Sequence, residues 1–479
     1  MSRQRKSKTE NKKINPIFLI LSLVFVIVTG VFFTTILKMD MLPQKYVFIF
    51  SGVELILTVV IVIGLAKGHK TYKLNVFSLI LAIILATIYI FAIHYANTTM
   101  GFLDGLLKET HETEEYYIVV KKNSQYNQIA DLTNKEIYMF QIEEDVKKEF
   151  ESKTDKALQE QESISELGKN LLEGTSEAIA LSSSQYDMLN EEIKDFKANT
   201  KIIYTATHKM EKIDIEDKNT DYTIANKAFN IYISGIDTSG RISNVARSDA
   251  NIIVTVNLKK HEILLTSIPR DYYVTLHSKK AKDKLTHSGI YGINETVTTV
   301  EDLLDIDINY YVRVNFTTVI KVVDTLEGID VTSDYSFSTE NYNFKKGINH
   351  LNGKQALEFS RERHSFIDGD NQRVKNQQKV IEAIVNKVTG STAILTKYTK
   401  ILNTLNGSFQ TNISQDEISE IVKEQLETMP KWTIKTNSLI GTGDYQPTYS
   451  MGKQKLYVML PDETSVKEAK QKIIQTLSK

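Results

Sequence analysis

The chain has no cysteine among its 479 residues. That absence excludes disulfides, thiolate nucleophiles and cysteine-ligated zinc together. It agrees with an exported protein but assigns no compartment by itself. Arginine is scarce: of 58 basic residues only nine are Arg, so lysine serves wherever a generic positive charge is enough. The formal net charge is −1, which gives no global attraction to nucleic acid. The hydrophobic and charged fractions, 42% and 24%, are those of a globular chain. A chain this long carries a prior of about three structural units.

The few arginines are unevenly placed. Arg3 and Arg5 lie in the basic head, and Arg241, Arg247, Arg270, Arg313, Arg361, Arg363 and Arg373 all fall between 241 and 373. A guanidinium is a planar fork that grips phosphate or carboxylate with two parallel hydrogen bonds, which an ammonium cannot do. A lysine-rich chain that concentrates its arginines in one segment points to an anionic ligand there. Structural ion pairs are the alternative, above all for single members.

Three apolar segments open the chain, at about 14–37, 46–66 and 74–96. Each is long enough to cross a bilayer core of ~30 Å. The first is too long for a cleaved signal peptide, and two more follow it. Basic residues crowd before the first segment and between the second and third, so the positive-inside rule predicts a cytoplasmic N-terminus and an extracytoplasmic remainder. Glu54 sits inside the second segment, where an unpaired carboxylate is costly. It is expected to pair with Thr29, Thr34 or Tyr89, or to meet a partner protein or lipid head group.

Residues 1–100 therefore read as a membrane region, 101–225 as a small α/β accessory domain without arginine, and 226–479 as a larger domain. In the accessory segment, Tyr116–Val120 and "EAIALSSS" read as strands and Glu143–Lys153 as a helix; no chemical motif gathers there, so a structural or docking role is expected. Lys212–Asp221 reads as a linker. Further on, Phe229–Ser234, Asn251–Leu258, Glu262–Ile268, Tyr310–Phe316, Ile329–Thr332, Trp432–Ile440 and Leu456–Leu460 read as strands. Helices are expected at Ile293–Leu304, Thr317–Leu326, Asn352–Phe359, Asp370–Val388, Ser414–Glu427 and from Glu463. That alternation predicts an αβα layered domain around a mixed sheet.

Chemistry is expected at the strand ends, where loops are held by a rigid scaffold. Asp237 follows the first strand of this domain, Arg247 and Asp249 precede the second, and Arg270 ends the third. Two carboxylates so placed suit magnesium, which is usually held by one or two carboxylates plus substrate phosphates; Asp237 also reads as a plain turn residue in "GIDTSG". In "SRERHSFIDGDNQRVKNQQ", Arg361 and Arg363 alternate just past a helix. Arg373 and Gln377 are four apart on one face of the next helix, with Asp370 three residues earlier. Together these donors suit a pyrophosphate. Arg241 and Arg313 read as structural or solvated, Lys284 as a phosphate ligand or a surface lysine, and His287 as structural rather than a base.

The segments "GID", "ARSDANIIVTVN", "LLTSIPRDYYV", "KLTHSGIYG", "YYVRVNF", "LEGIDVTSD", "GINHLNGKQALEFSRER" and "DGDNQRVKNQQ" stand in this order, and over Phe229 to about Val388 the chain resembles the LytR-CpsA-Psr family. Three membrane segments plus an accessory domain resemble its streptococcal capsule branch. The resemblance implies a hydrophobic tunnel for a polyisoprenyl chain, with the pyrophosphate held at its mouth by arginines and magnesium. It implies Asp237 and Asp249 as metal ligands. Arg247, Arg270, Lys284, Arg361, Arg363, Arg373 and Gln377 would contact phosphates, with Asp249, Arg270, Arg361 and Arg363 in catalytic roles. Two positions depart from the common family pattern: Ser239 and Asn376 stand where many members carry arginine.

The activity so implied is transfer of a glycan phosphate, from the capsule in this branch, out of a polyisoprenyl pyrophosphate-linked glycan onto peptidoglycan. Other capsule-assembly proteins are further possible partners. The rivals are a polyprenyl-pyrophosphate phosphatase, a non-catalytic lipid-carrier binder, and a transcriptional attenuator. The last is disfavoured, because the short cytoplasmic parts hold no helix-turn-helix pattern.

Overall fold

The computed structural model describes residues 16–67, 72–106, 111–212, 223–236, 242–367, 369–390, 403–404, 406–428 and 431–478. Asp237, Ser239 and Arg241, most of the expected linker, and the side chain of Asp370 lie outside the described residues. The chain divides into two compact units, residues 1–104 with 415–430, and residues 105–414 with 431–479.

In the first unit, the apolar runs form helices Pro16–Met39, Gln44–Lys67 and Tyr72–Leu106. Each is long and apolar enough to cross a membrane. They extend beyond the expected segments because helical geometry continues into the polar flanks. Phe32 stacks on Tyr89 with ring centroids 4.5 Å apart, and Ile61 and Leu65 are buried beside them. Glu54 is buried here too: Tyr89 Oη donates to it at 2.5 Å and Thr58 Oγ1 at 3.2 Å. Of the expected partners, Tyr89 is therefore the one that satisfies it. The helix Gln415–Thr428 also belongs to this unit, through ion pairs of Lys423 with Asp40 (2.7 Å) and Lys45 with Glu427 (3.1 Å).

The second unit holds both the accessory and the larger domain, so no break between compact units falls near residue 225. The accessory sheet runs in the order Gln159–Glu160, Ile137–Met139, Ala178–Ser182, His111–Lys121, Thr200–Lys212. Helices Glu144–Thr154, Ile164–Glu173 and Ser183–Glu192 supply the rest of its two apolar cores. One of these cores also takes in Ile290 and Met451 from the larger domain, which is why the two domains form one body.

The larger domain is built on a six-stranded mixed sheet. Its order is Phe409–Thr411, Tyr310–Asn315, Ala228–Ile236, Ser248–Asn257, Glu262–Ile268, Thr433–Ser438. The second and third of these run parallel, as do the last two, and the other neighbours are antiparallel. Strand alternation sorts the two faces. Tyr232, Ile253, Leu264 and Tyr311 point into a core shared with helices Ile293–Leu304 and Glu463–Leu477. Ile233, Ile252, Val312 and Val314 point to the other side, toward helices Phe316–Thr325, Gly353–Arg361 and Gly369–Gly390. The result is the expected αβα layering. Trp432–Ile440 narrows to Thr433–Ser438, and the expected strand Leu456–Leu460 is part of a longer hairpin, Gly441–Thr448 with Gly452–Pro461, outside the central sheet.

Candidate functional site

Antiparallel pairing puts the end of one strand beside the start of the next. Ile236 pairs with Ser248 and with Asn315, while Asn251 pairs with Ile268. Arg247 and Arg270, just outside their strands, and Asp249, at the start of its strand, therefore gather at one end of the sheet. Gly289 permits this close packing: a Cβ there would lie 2.5 Å from the Ala246 carbonyl oxygen and 2.7 Å from the Ser248 nitrogen. Gly353 plays the same part between two helices, since its Cβ would come within 2.3 Å of the Ile320 carbonyl oxygen.

A cavity of about 1120 Å³ opens between the sheet and the three helices on this side. Along its length it is apolar, with Val312 and Val314 from the sheet facing Val319, Leu357, Val380 and Ile384 from the helices. Its polar end brings together Arg247, Asp249, Arg270, Lys284, Arg361, Arg363, Arg373 and Gln377. Arg313 is not among them; it is buried and ion-paired with Glu112.

Each polar group is held in a defined way. Thr286 Oγ1 donates to Asp249 Oδ1 and Arg270 Nη1 donates to Oδ2, both at 2.8 Å. Burial alone would push the Asp249 carboxyl up, but Arg270, Arg247 and Arg373 together hold it down at about 2. Lys284 Nζ donates to Asp271 Oδ1 at 3.0 Å, and that buried carboxyl is likewise held low against the effect of burial by Lys284 and Arg270. The Arg361 guanidinium lies 4.0 Å from the centre of the Phe316 ring, and Arg363 Nε donates to His364 at 3.3 Å.

One expectation about this segment needs correction. Arg361 does not lie past the helix; the helix runs through it, and Glu362 is its extended C-cap. Both residues line the cavity, but not by simple alternation. Arg373 and Gln377 do share a helix face, as their spacing predicts. Asn376 does not line the cavity. It is fully buried and donates to the Phe359 carbonyl at 3.2 Å. His287 is buried, with Nδ1 2.7 Å from both Asp283 Oδ1 and Ser450 Oγ. A Ser-His-Asp relay needs the two partners on different ring nitrogens, so this trio is no such relay, although His287 lines the cavity.

Two acidic residues of the accessory domain were not visible as site residues in the sequence. Glu191 and Glu192 both line the cavity, and Glu191 takes both terminal nitrogens of Arg247 at 2.6 Å. Glu112 reaches Arg313 and accepts from the Ile293 backbone N–H at 2.8 Å. For Glu112 a signal existed. Extending the strand back from Tyr116 puts Glu112 and Glu114 on the same inward face, where carboxylates need partners. Glu191 carries no such local mark.

The LytR_cpsA_psr family model matches residues 195–473. The chain belongs to the LytR-CpsA-Psr family. Among its LytR-CpsA-Psr relatives, the polyisoprenyl-teichoic acid–peptidoglycan teichoic acid transferase TagU of Bacillus subtilis is 34% identical over 272 residues, covering 56% of this chain and 85% of that one. The Enterococcus faecalis protein of the same name is 35% identical over 233 residues, covering 48% and 76%. The crystal structure of B. subtilis TagU aligns at 33% identity and a TM-score of 0.41, over 53% of this chain and 98% of that one. TagT bound to LIIa-WTA aligns at 26% identity and a TM-score of 0.43, over 55% and 95%. The expectation of an enzyme of the phosphotransferase type agrees with the family and with what these relatives are named.

Proposed function

We propose that the protein transfers a glycan phosphate, capsular in this branch, from a polyisoprenyl pyrophosphate carrier to peptidoglycan at the outer face of the membrane. The observation that carries this reading is a single cavity with an apolar length and a cationic end. Its volume exceeds the roughly 300–1,000 Å³ that drug-sized ligands occupy, as a long lipid tail requires. The basic flanks of the apolar helices support an extracytoplasmic catalytic domain.

In the reaction, an acceptor hydroxyl attacks the glycan-side phosphorus and gives up its proton to water, the anhydride P–O bond breaks, and polyprenyl phosphate departs with the bonding electrons. The transition state is loose, so positioning and charge neutralisation supply most of the catalysis and no strong base is required. Arg270, Arg361, Arg363 and Arg373 would grip non-bridging oxygens, and removing one such group costs about 3 kcal/mol.

The residues also fit magnesium. Magnesium is usually held by one or two carboxylates plus substrate phosphates rather than by a protein cage. Asp249 would hold it, with Asp237 as the second ligand. A carboxylate offers about four lone-pair sites, and Thr286 and Arg270 use two of those on Asp249. When bound, the ion would neutralise phosphate charge.

The test is turnover by purified protein on lipid-linked glycan, with and without peptidoglycan. Release of polyprenyl phosphate together with glycan attached to peptidoglycan supports the proposal. Equal release without acceptor would make the protein a phosphatase, and binding without turnover a carrier protein.

A further inference from the structure

The Arg247–Glu191 pair joins two residues of very different exposure. Arg247 is 8% exposed and fixed at the start of a central strand, whereas the Glu191 side chain is 56% exposed. Glu191 stands in the last turn of the helix Ser183–Glu192. A carboxylate there is at the unfavourable end of the helix dipole, so its own helix does not favour it. Arg247 does, with two short parallel hydrogen bonds.

A buried guanidinium needs an anion beside it, but the anion can change. A phosphate offers the same bidentate geometry as a carboxylate. Two other acids seen to pair with cavity cations among the described residues, Asp271 and Asp249, are poorly placed to leave. Asp271 is 6% exposed, and Asp249 is also held by Thr286. Of these three, Glu191 is the one whose side chain is more than half exposed.

We propose that Glu191, supplied by the accessory domain, is the exchangeable counter-ion of Arg247. It occupies the guanidinium fork while the site is empty and yields to an incoming ligand phosphate. The accessory domain thereby sets the affinity of the catalytic cavity for pyrophosphate head groups. This rests on reading the cavity as a pyrophosphate site.

The experiment is calorimetric titration of the full-length, detergent-purified protein with farnesyl pyrophosphate and, separately, with inorganic pyrophosphate. Removing the competing carboxylate by Glu191→Gln is expected to tighten both by roughly tenfold, the scale of one charge-assisted pair. In an Arg247→Ala background the same substitution should give no gain. The empty Glu191→Gln protein should melt lower than wild type, because the two charge-assisted bonds of Glu191 to Arg247 are lost, yet gain more in Tm on adding ligand.

A merely structural Glu191 would lower Tm and leave the ligand-induced gain unchanged. Weaker or unchanged binding by Glu191→Gln overturns the proposal, as does a gain confined to the farnesyl ligand. If wild type binds and Arg363→Ala binds weakly, the site reading stands whatever Glu191 does. If wild type binds neither ligand, the site reading falls and the proposal with it.

Discussion

Glu112 and Arg313, 201 residues apart in sequence, form a buried ion pair between the first accessory strand and a central strand of the larger domain. The pair is almost completely closed to solvent, with side-chain exposures of 1% for Arg313 and 4% for Glu112. Breaking one member of such a pair leaves an uncompensated charge, at a cost of roughly 3–5 kcal/mol. Arg313→Ala and Glu112→Ala are therefore expected to lower the denaturation midpoint strongly. Chemical denaturation measures this, and a variant as stable as wild type would show that the pair contributes nothing.

The cavity arginines should separate from lysine in a different way. Arg361→Lys and Arg363→Lys keep the charge and lose the fork, at partly exposed positions where folding gains little from the charge. Transfer should fall at least tenfold for each ~1.4 kcal/mol of lost transition-state stabilisation, with Tm almost unchanged. Arg373→Lys should lose activity and also some stability, because Arg373 is 6% exposed. Wild-type rates in all three variants would remove the arginines from the phosphate site.

Asp249→Ala removes the acceptor that fixes both Arg270 and Thr286. Loss of transfer and loss of magnesium dependence are expected in a chain that still folds by circular dichroism. A wild-type rate that still depends on magnesium would sink the assignment of Asp249 as a metal ligand.

Glu114 gives the pH dependence. Burial pushes its carboxyl up, hydrogen bonds from Ser182, Tyr116 and Ser184 pull it partly back, and Glu143 raises it again, to about 7. The Tyr291 phenol, itself pushed up by burial and by surrounding acids, faces the same region. The folded state keeps this proton up to about pH 7, while the unfolded state releases it near 4.5. Between those values the folded state binds more protons, so stability falls as pH rises. The loss approaches about 3 kcal/mol at alkaline pH, at about 1.4 kcal/mol per pKa unit. Glu114→Gln should match wild type in Tm near pH 4 and exceed it near pH 8. Parallel Tm curves across that range would refute the effect.

Orientation is tested on intact protoplasts. With the N-terminus inside, added protease should release a C-terminal fragment beginning near Thr98. Full protection of that region would reverse the topology.

Sequence alone determined whatever depends on local physics. Uninterrupted apolar runs mark helices that can cross a membrane, and the periodicity of Ile293–Leu304 gives that helix at its observed bounds. The Arg373–Gln377 spacing gives a shared face, and the arginine-rich segment is also the one whose side chains meet in the cavity. Tertiary structure decided which charges face one another. Glu191 sits in "LNEEIK", where nothing local distinguishes it from a solvated surface acid, yet packing of the accessory domain places it on Arg247. Asn376 and Arg313 sit in the segment that carries the family motifs, yet one is turned between helices and the other is bound to Glu112. The reason is physical: hydrophobic period and backbone preference act over a few residues, whereas the partner of a buried charge is fixed only when distant elements close around it.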